Sequence, residues 1–295
     1  ERSHAITRDR RVMASRKHPT GPPPSAGVLA KYVQAYARDA GLSEGRVRGW
    51  ISYMVMAGAL ERAAASGQPR FTVKGGIALE LRLRNRARAT KDIDVVLQHA
   101  DADLARTLEG ALSGEAYQGF TFRRKGEPLL LDNGAVNLEH AVSYLGGAWT
   151  TIAVDIARAE PGEAEIEWLP AIPLTDAFGI TGPVDLPCLP LRLHIAQKLH
   201  GMTLPPRAGK RNERFRDLID LLLMEELVTD YRGLREACET VFRSRDIHVW
   251  PPALAVPPHW IEPFVRLAGD LDLPVADAEA GMMRVRAFVE RIVGA

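Results

Sequence analysis

The sequence predicts an α/β protein in which a mixed sheet is followed by a C-terminal helical bundle. The first observation is a short apolar strand, a Lys-Gly-Gly turn at 74–76, a helical stretch and a second strand that begins at Asp92. The second is a set of three segments, at 119–124, 128–131 and 151–156, with the two-residue alternation of strands, and a short strand near Trp168 is expected to close the edge of the sheet. The third is the helical periodicity of most of the chain after Pro190.

The chain is predicted to divide into four parts. Residues 1–26 are expected to form a mobile tail, 27–65 a helical support, 66–189 the α/β domain, and 190–295 a helical domain that completes the active site. In the helical support, Gly41 ends one helix and Ser43 can cap the next. Two helices joined by a glycine turn also suit a DNA-binding helix-turn-helix, so both interpretations stay open.

The composition is that of an ordinary soluble protein. Lys and Arg number 38 against 37 acidic residues, so any attraction to nucleic acid must come from a local basic surface. The two cysteines show no metal-ligand spacing, which favours a reducing compartment. No apolar run is long enough to span a bilayer, and no export signal is recognised. We therefore expect a cytoplasmic protein with no membrane partner.

Two carboxylates stand side by side at the start of the second strand. Side chains alternate across a strand, so Asp92 and Asp94 share a face. Their mutual repulsion is relieved by a divalent cation, and hard oxygen ligands suit magnesium that carries substrate phosphates. Gly75 and Gly76 let the backbone approach a ligand closely and direct N–H groups at it. This pattern predicts a phosphate-binding turn and a metal site on neighbouring strands.

The Gly-Gly turn followed by Asp-x-Asp resembles the active-site signature of the DNA polymerase β-type nucleotidyltransferases. The fuller pattern, Lys-Gly-Gly with a following Ala-Leu and then Arg-x-Thr-Lys-Asp-Ile-Asp, is similar to the AbiEii/AbiGii branch. That branch contains the toxin halves of type IV toxin–antitoxin pairs, including the MenT nucleotidyltransferases. The resemblance covers about 29–227. It implies a polymerase β-like domain, two magnesium ions and a nucleoside triphosphate substrate.

Three further residues, Asp155, Thr90 and Lys74, complete the predicted nucleotide and metal site in the first half of the chain. The resemblance implies a third metal carboxylate on a later strand, and Asp155 occupies that place on the face away from the aliphatic residues. An exposed aspartate at a strand end is the alternative. Gly75 and Gly76 would hold phosphates, Thr90 would contact the phosphates or orient the loop, and Lys74 faces the same turn. For Lys74, a surface lysine is the alternative interpretation.

Two helices of the second half carry charged residues on apolar faces. Lys198 falls within an apolar stripe, where it requires a partner or must extend to water. Asp217 and Asp220 lie on the next apolar helix and need partners or a chemical task. The resemblance implies that Lys198 contacts the triphosphate and that Asp217 is a candidate general base. With Asp92 and Asp94, they form the predicted catalytic set; an ion pair with a neighbouring arginine is the alternative for Asp217.

Basic residues in two loops are candidate RNA contacts. Arg84 and Arg88 follow the Gly-Gly helix, and Arg207, Lys210 and Arg211 lie in the linker before the second of these two helices. Arginine and lysine bind phosphate backbones. Solvated loops are the alternative interpretation.

The resemblance implies a magnesium-dependent nucleotidyltransferase toxin. It would transfer a nucleoside monophosphate from a nucleoside triphosphate to an RNA acceptor, the 3′ end of a tRNA, and inhibit translation and growth until a cognate antitoxin relieves it. One alternative is the same chemistry on an antibiotic, a protein hydroxyl or the enzyme itself. The other is a catalytically silent regulator that binds DNA.

Overall fold

The computed structural model describes residues 21–98, 103–131, 133–206 and 209–295 as two compact units. The first unit comprises the described residues up to Ile77 with Ala89–Arg158 and Trp168–Cys188. The second comprises Ala78–Arg88, Ala159–Glu167 and Leu189–Ala295. Most of the predicted tail at 1–26 lies outside the described residues, and the four-part division stays a prediction.

A mixed sheet forms the centre of the first unit. Its strands are β1 (Phe71–Lys74), β2 (Asp92–Leu97), β3 (Phe120–Leu130), β4 (Val136–Tyr144), β5 (Gly147–Arg158), β6 (Glu167–Pro170) and β7 (Asp185–Cys188). Within the described part of the chain they make one seven-stranded sheet in the order β3-β4-β5-β2-β1-β7-β6. The predicted fold class, α/β with a mixed sheet, is therefore confirmed.

Helices cover one face of this sheet. The helices in this part of the chain are α1 (Ala26–Ala40), α2 (Glu44–Ala65), α3 (Gly75–Leu83), α4 (Leu104–Leu112) and α5 (Thr175–Phe178). Helices α1, α2 and α4 pack on the sheet at β5, where Ile152, Val154 and Ile156 are buried. The residues that alternate with these three face the opposite side, and Asp155 among them is half-buried.

Helices α1 and α2 have the predicted caps. Gly41 ends α1 with a φ of 67°, and the Ser43 hydroxyl accepts a hydrogen bond from the Arg46 N–H at 3.2 Å at the start of α2. Every residue of α2 from Trp50 to Leu60 is buried. A helix buried all round belongs to a core, so this stretch of α2 offers no exposed face to a DNA groove.

The strand register sets one row of polar side chains across four strands. Lys74 on β1 lies opposite Asp94 on antiparallel β2. Asp94 lies opposite Asp155 on parallel β5, and Asp155 lies opposite Asn137 on antiparallel β4. Directly opposed residues of neighbouring strands project from the same face. The row therefore places two carboxylates side by side between an amine and an amide.

The second unit is helical. Its main helices are α6 (Leu191–Met202), α7 (Phe215–Met224), α8 (Tyr231–Arg245), α9 (Ile261–Asp270) and α10 (Ala278–Val293). Helix α6 packs against α7 and α8, and α10 packs against the same two helices. Their apolar faces make a single core that includes Leu221, Trp260 and Phe288. In the described ranges, no helix is both long and apolar enough to cross a membrane.

Several elements differ from the sequence prediction. The two strands predicted at 119–124 and 128–131 are one strand, β3, whose register shifts between Lys125 and Leu129. Strands β4 and β7 and helix α9 were not predicted. The short strand expected near Trp168 is present as β6, and it closes one edge of the sheet as predicted.

Candidate active site

The Lys-Gly-Gly turn joins β1 directly to α3 and lies against Asp94. Gly75 has a φ of 60°, which is the left-handed region that favours glycine. A Cβ atom at Gly75 would lie 1.8 Å from Asp94 Oδ2. The Asp94 carboxylate therefore packs against the backbone of the turn, and any larger residue at 75 would displace it.

The second glycine of the turn accommodates Thr90, which in turn holds Asp92. A Cβ atom at Gly76 would lie 2.4 Å from Thr90 Oγ1. The Thr90 hydroxyl donates to Asp92 Oδ1 at 3.1 Å. Gly75 thus makes room for Asp94, and Gly76 makes room for Thr90, which holds Asp92. Thr90 thereby orients Asp92, and its predicted contact with the phosphates or role in orienting the loop stays a prediction.

The predicted third carboxylate lies beside the first pair. Asp155 is the direct neighbour of Asp94 across the β2–β5 pairing. The side-chain amide of Asn137 donates to Asp155 Oδ1 at 2.5 Å. That bond fixes the carboxylate and occupies one of its two oxygens. The structure thus places Asp92, Asp94 and Asp155 on the same face of neighbouring strands, with Gly75 against Asp94.

The electrostatic surroundings of Asp155 reflect this crowding. Burial raises its pKa above the ordinary value of a carboxyl, and the hydrogen bond from Asn137 partly offsets that effect. The charge of Asp92 raises the pKa further, whereas the charge of Lys74 lowers it. The net shift is upward. A carboxylate that resists ionisation beside another negative charge gains from a nearby cation.

The donor set fits a divalent cation. In the described part of the chain, no group of three or more His, Cys, Asp or Glu side chains is already gathered as a metal site. Magnesium, however, is commonly held by one or two carboxylates together with the phosphates of its substrate. Carboxylate oxygens that repel one another beside a backbone turn suit a magnesium ion that arrives with a polyphosphate.

In the second unit, Lys198 is buried in a network of charges. Its Nζ donates to Asp217 Oδ1 and to Asp220 Oδ2, each at 2.7 Å. Burial by itself lowers the pKa of Lys198, but the charges of Asp217 and Asp220 outweigh burial and leave the pKa above its usual value. The lysine is therefore a fixed cation. Because Lys198 falls within an apolar stripe, the sequence predicts that it needs a partner, and these two carboxylates are its partners.

Both aspartates of the network have a second cation as partner. The Arg88 guanidinium donates to both oxygens of Asp220, at 3.1 Å from Nε and 3.1 Å from Nη2. Arg214 Nη1 donates to Asp217 Oδ2 at 3.1 Å. Burial raises the pKa of Asp217, but the charges of Lys198 and Arg214 lower it by more. Asp217 thus has the arginine ion pair that was the alternative to a catalytic role.

The candidate RNA contacts differ in their surroundings. Arg88 is bound to Asp220 and is mostly buried, with a side chain 17% exposed. Lys210 and Arg211 are exposed. Arg84 has a positive φ of 55° in the short 3₁₀ turn after α3. Arg207 lies outside the described residues. Their predicted contacts with RNA stay predictions.

The sequence predicts neither the role of Asn137 nor the pairing of Asp220 with Arg88. Asn137 was missed because β4 was not recognised, although polar and apolar residues alternate along 137–144. For Asp220 the signal was present, because a carboxylate on an apolar helix demands a cation. The sequence could not identify which of the many arginines supplies it.

The sequence and the fold of the chain are similar to those of known proteins. The sequence model of a family described as "Nucleotidyl transferase AbiEii toxin, Type IV TA system" matches residues 58–294. No curated protein matches the chain. Among solved structures, MenT4, a nucleotidyltransferase toxin from Mycobacterium tuberculosis, has a TM-score of 0.60 at 20% identity, over 92% of this chain and 90% of that chain.

Two other solved structures are less similar. An antigenic nucleotidyltransferase-like protein from Paracoccidioides brasiliensis has a TM-score of 0.40 at 15% identity, over 66% of this chain and 90% of that chain. The antibiotic-resistance factor ANT(2″)-Ia, in complex with adenylyl-2″-tobramycin, has a TM-score of 0.35 at 16% identity, over 66% and 97%. The similarity to nucleotidyltransferases rests on the family match and on the fold shared with MenT4.

Proposed function

The chain belongs to the AbiEii family of nucleotidyltransferase toxins, and from this premise we propose that it transfers a nucleoside monophosphate from a nucleoside triphosphate to the 3′ end of a tRNA. The observation that carries the proposal is the packing of Asp94 against the Gly75 backbone, with Asp155 as its neighbour across the sheet. Carboxylates beside a glycine turn suit a polyphosphate and its cations.

The residues of the first unit have separate roles in this reaction. The backbone N–H groups of the Gly75–Gly76 turn bind the phosphates, and Lys74 adds a positive charge beside them. Asp92, Asp94 and Asp155 would hold two magnesium ions. When bound, such ions neutralise the phosphate charge and support in-line displacement at the α-phosphorus. Thr90 keeps Asp92 oriented through its hydroxyl.

The residues of the second unit contribute positive charge. Lys198 contacts the triphosphate and stabilises the charge that grows on the leaving pyrophosphate. Arg84, Lys210 and Arg211 contact the RNA backbone, together with Arg207. Their contribution is electrostatic and should weaken as salt rises. The balance of the whole chain, 38 basic against 37 acidic residues, makes these local groups the source of any RNA affinity.

The biological consequences follow from the acceptor. A tRNA whose 3′ end carries an added nucleotide cannot be aminoacylated in the normal way, so translation and growth are inhibited. A cognate antitoxin would relieve the inhibition. The protein would act in the cytoplasm, where tRNA and nucleoside triphosphates are found.

One incubation tests the proposal against its alternatives. Purified protein is incubated with magnesium, total tRNA and each α-³²P-labelled nucleoside triphosphate in turn, with Asp94→Ala as the matched inactive variant. We expect label on tRNA, lost after removal of the 3′ nucleotide, and none with Asp94→Ala. Label on the protein or on an added aminoglycoside instead would show that this molecule, and not tRNA, is the acceptor. The absence of label on any acceptor, with the variant indistinguishable from wild type, would contradict nucleotidyl transfer.

A further inference from the structure

The ammonium of Lys198 is held at two of its three donor positions. Asp217 and Asp220 lie one turn apart on α7, and each accepts from Nζ at 2.7 Å. An ammonium has three donors and no acceptor, so one N–H direction remains beyond these two bonds. Two carboxylates on one helix face thereby define where that third donor points.

The two carboxylates are themselves fixed by arginines. Arg88 holds Asp220 with both arms of its guanidinium, and Asp220 is fully buried. A bidentate pair of this kind sets orientation as well as distance. Arg214 holds the oxygen of Asp217 that Lys198 does not use. The network therefore constrains the lysine through two layers of contacts.

The charges of the network do not cancel among its own members. Lys198, Arg88 and Arg214 are cationic, whereas Asp217 and Asp220 are anionic. One positive charge is in excess among these five side chains. A net positive charge on a rigid support is suited to an anionic ligand such as a polyphosphate.

A general base must accept a proton from the acceptor hydroxyl. Both oxygens of Asp217 already accept from cations, Oδ1 from Lys198 and Oδ2 from Arg214. The pKa of this carboxyl also lies below its usual value, because the two cations outweigh the effect of burial. A weakened base with no unoccupied oxygen is poorly placed for proton abstraction.

We propose that Asp217 and Asp220 are positioning residues, anchored by Arg214 and Arg88, which fix the Lys198 ammonium for a nucleoside triphosphate. This inference rests on the proposed function, because it assumes that Lys198 contacts the triphosphate. It assigns Asp217 a role that acts through Lys198 and not as an independent base.

A double-mutant cycle separates the two roles of Asp217. Wild type, Asp217→Asn, Lys198→Ala and the double variant are titrated with each nucleoside triphosphate and magnesium, and their kcat and KM on total tRNA are measured. A residue that acts through another has no effect once the other is removed. We expect Asp217→Asn to raise the nucleotide Kd about tenfold in wild type and less than about twofold in Lys198→Ala.

The outcomes are distinct. If Asp217→Asn lowers kcat by the same factor in both backgrounds and leaves the nucleotide Kd unchanged, Asp217 is a base and the inference is overturned. Because nucleotide binding needs no acceptor, the cycle can hold even when tRNA receives no label, in which case only the proposed acceptor fails. If wild type binds no nucleoside triphosphate, the inference is overturned together with the proposed function.

A milder pair of variants covers the case in which Lys198→Ala does not fold, as judged by circular dichroism. Arg88→Lys keeps the charge but loses the bidentate fork on Asp220. Arg86→Lys is its matched control, because Arg86 lies two residues before Arg88 and makes an exposed ion pair with Glu226. We expect only Arg88→Lys to raise the nucleotide Kd, by threefold or more. Equal effects of the two variants, or none, would overturn the inference.

Discussion

Asp94 and Asp155 lie directly opposite each other on the parallel strands β2 and β5. They are separated by 61 positions in the sequence, yet the sheet makes them nearest neighbours on one face. The arrangement depends on β5 entering the sheet beside β2 and not beside β1. The order of strands, more than any single motif, therefore assembles the acidic site.

The turn glycine should be irreplaceable because of Asp94. In Gly75→Ala the new Cβ would meet the Asp94 carboxylate at 1.8 Å, so the carboxylate must move by more than an ångström. We expect nucleotide transfer to fall about 100-fold, since misplacement on this scale is costly to catalysis. The measurement is the initial rate of label transfer to tRNA.

Gly41→Ala is the matched control for that variant. Gly41 has a similar φ of 67°, but nothing lies within 4 Å of the position its Cβ would take. Both substitutions should lower the free energy of unfolding by about 1–2 kcal/mol through the left-handed backbone. Only Gly75→Ala should lose activity. An equal loss of activity in both variants would show that strain, and not the carboxylate, is responsible.

Asn137 should affect the rate of nucleotide transfer through its hydrogen bond to Asp155. Asn137→Ala removes the hydrogen bond to Asp155, so we expect a rate about tenfold lower and a higher magnesium concentration at half-maximal rate. The test is a magnesium titration of the transfer reaction. Ser143→Ala, on the same face of β4, should change neither quantity. A wild-type titration curve for Asn137→Ala would rule out this role.

The buried arginine and the exposed arginine of the segment between α3 and β2 should differ in their effect on stability. Arg88→Ala removes one cation from fully buried Asp220, which keeps Lys198, and should lower the free energy of unfolding by about 2–3 kcal/mol. Arg86→Ala breaks an exposed pair with Glu226 and should cost less than about 1 kcal/mol. Urea denaturation of both variants measures the difference. Equal costs would contradict a structural role for the buried network.

His200 should make the protein less stable in acid. Burial lowers its pKa to about 3, with further contributions from the charges of Arg245, His248 and Arg214. Because the unfolded chain has the higher pKa, near 6.5, it takes up a proton that the folded chain does not. The stabilisation is complete above pH 6.5 and is lost as the pH falls toward 3.

The corresponding measurement compares wild type with His200→Gln at two pH values. Between pH 7.5 and 4.5, the free energy of unfolding of wild type should fall on the order of 2 kcal/mol more than that of the variant. Urea titrations at both pH values give the difference directly. Parallel pH dependence in the two proteins would mean that His200 is not kept neutral by its surroundings.

The sequence predicts the segment from β1 to β2 well, because strand alternation and a glycine turn are local signals. It also predicts the face of Asp155, since Ile152, Val154 and Ile156 alternate with it. It fails at β4, where buried His140 and half-buried Ala141 blur the same alternation. Because β4 is not predicted, Asn137 is not recognised as a site residue, although its side chain donates to the predicted metal ligand Asp155.

The charged network shows a different limit of sequence reasoning. The apolar surroundings of Lys198 and Asp220 predict that each has a partner. Pairing is a property of the packed helices, however, and any of the 38 Lys and Arg residues could supply the partner of a given carboxylate. The local pattern therefore predicts the need for an ion pair but not the arginine that satisfies it.

The most direct test of the account is the transfer activity of Asp155→Asn, beside Asp94→Asn and the double variant. If the opposed aspartates act as one site, each single variant should lose at least about 100-fold in rate at saturating nucleotide and magnesium, and the double variant should be little worse than either. Melting temperatures within a few degrees of wild type would show that the fold is kept. Wild-type activity in Asp155→Asn would contradict the account.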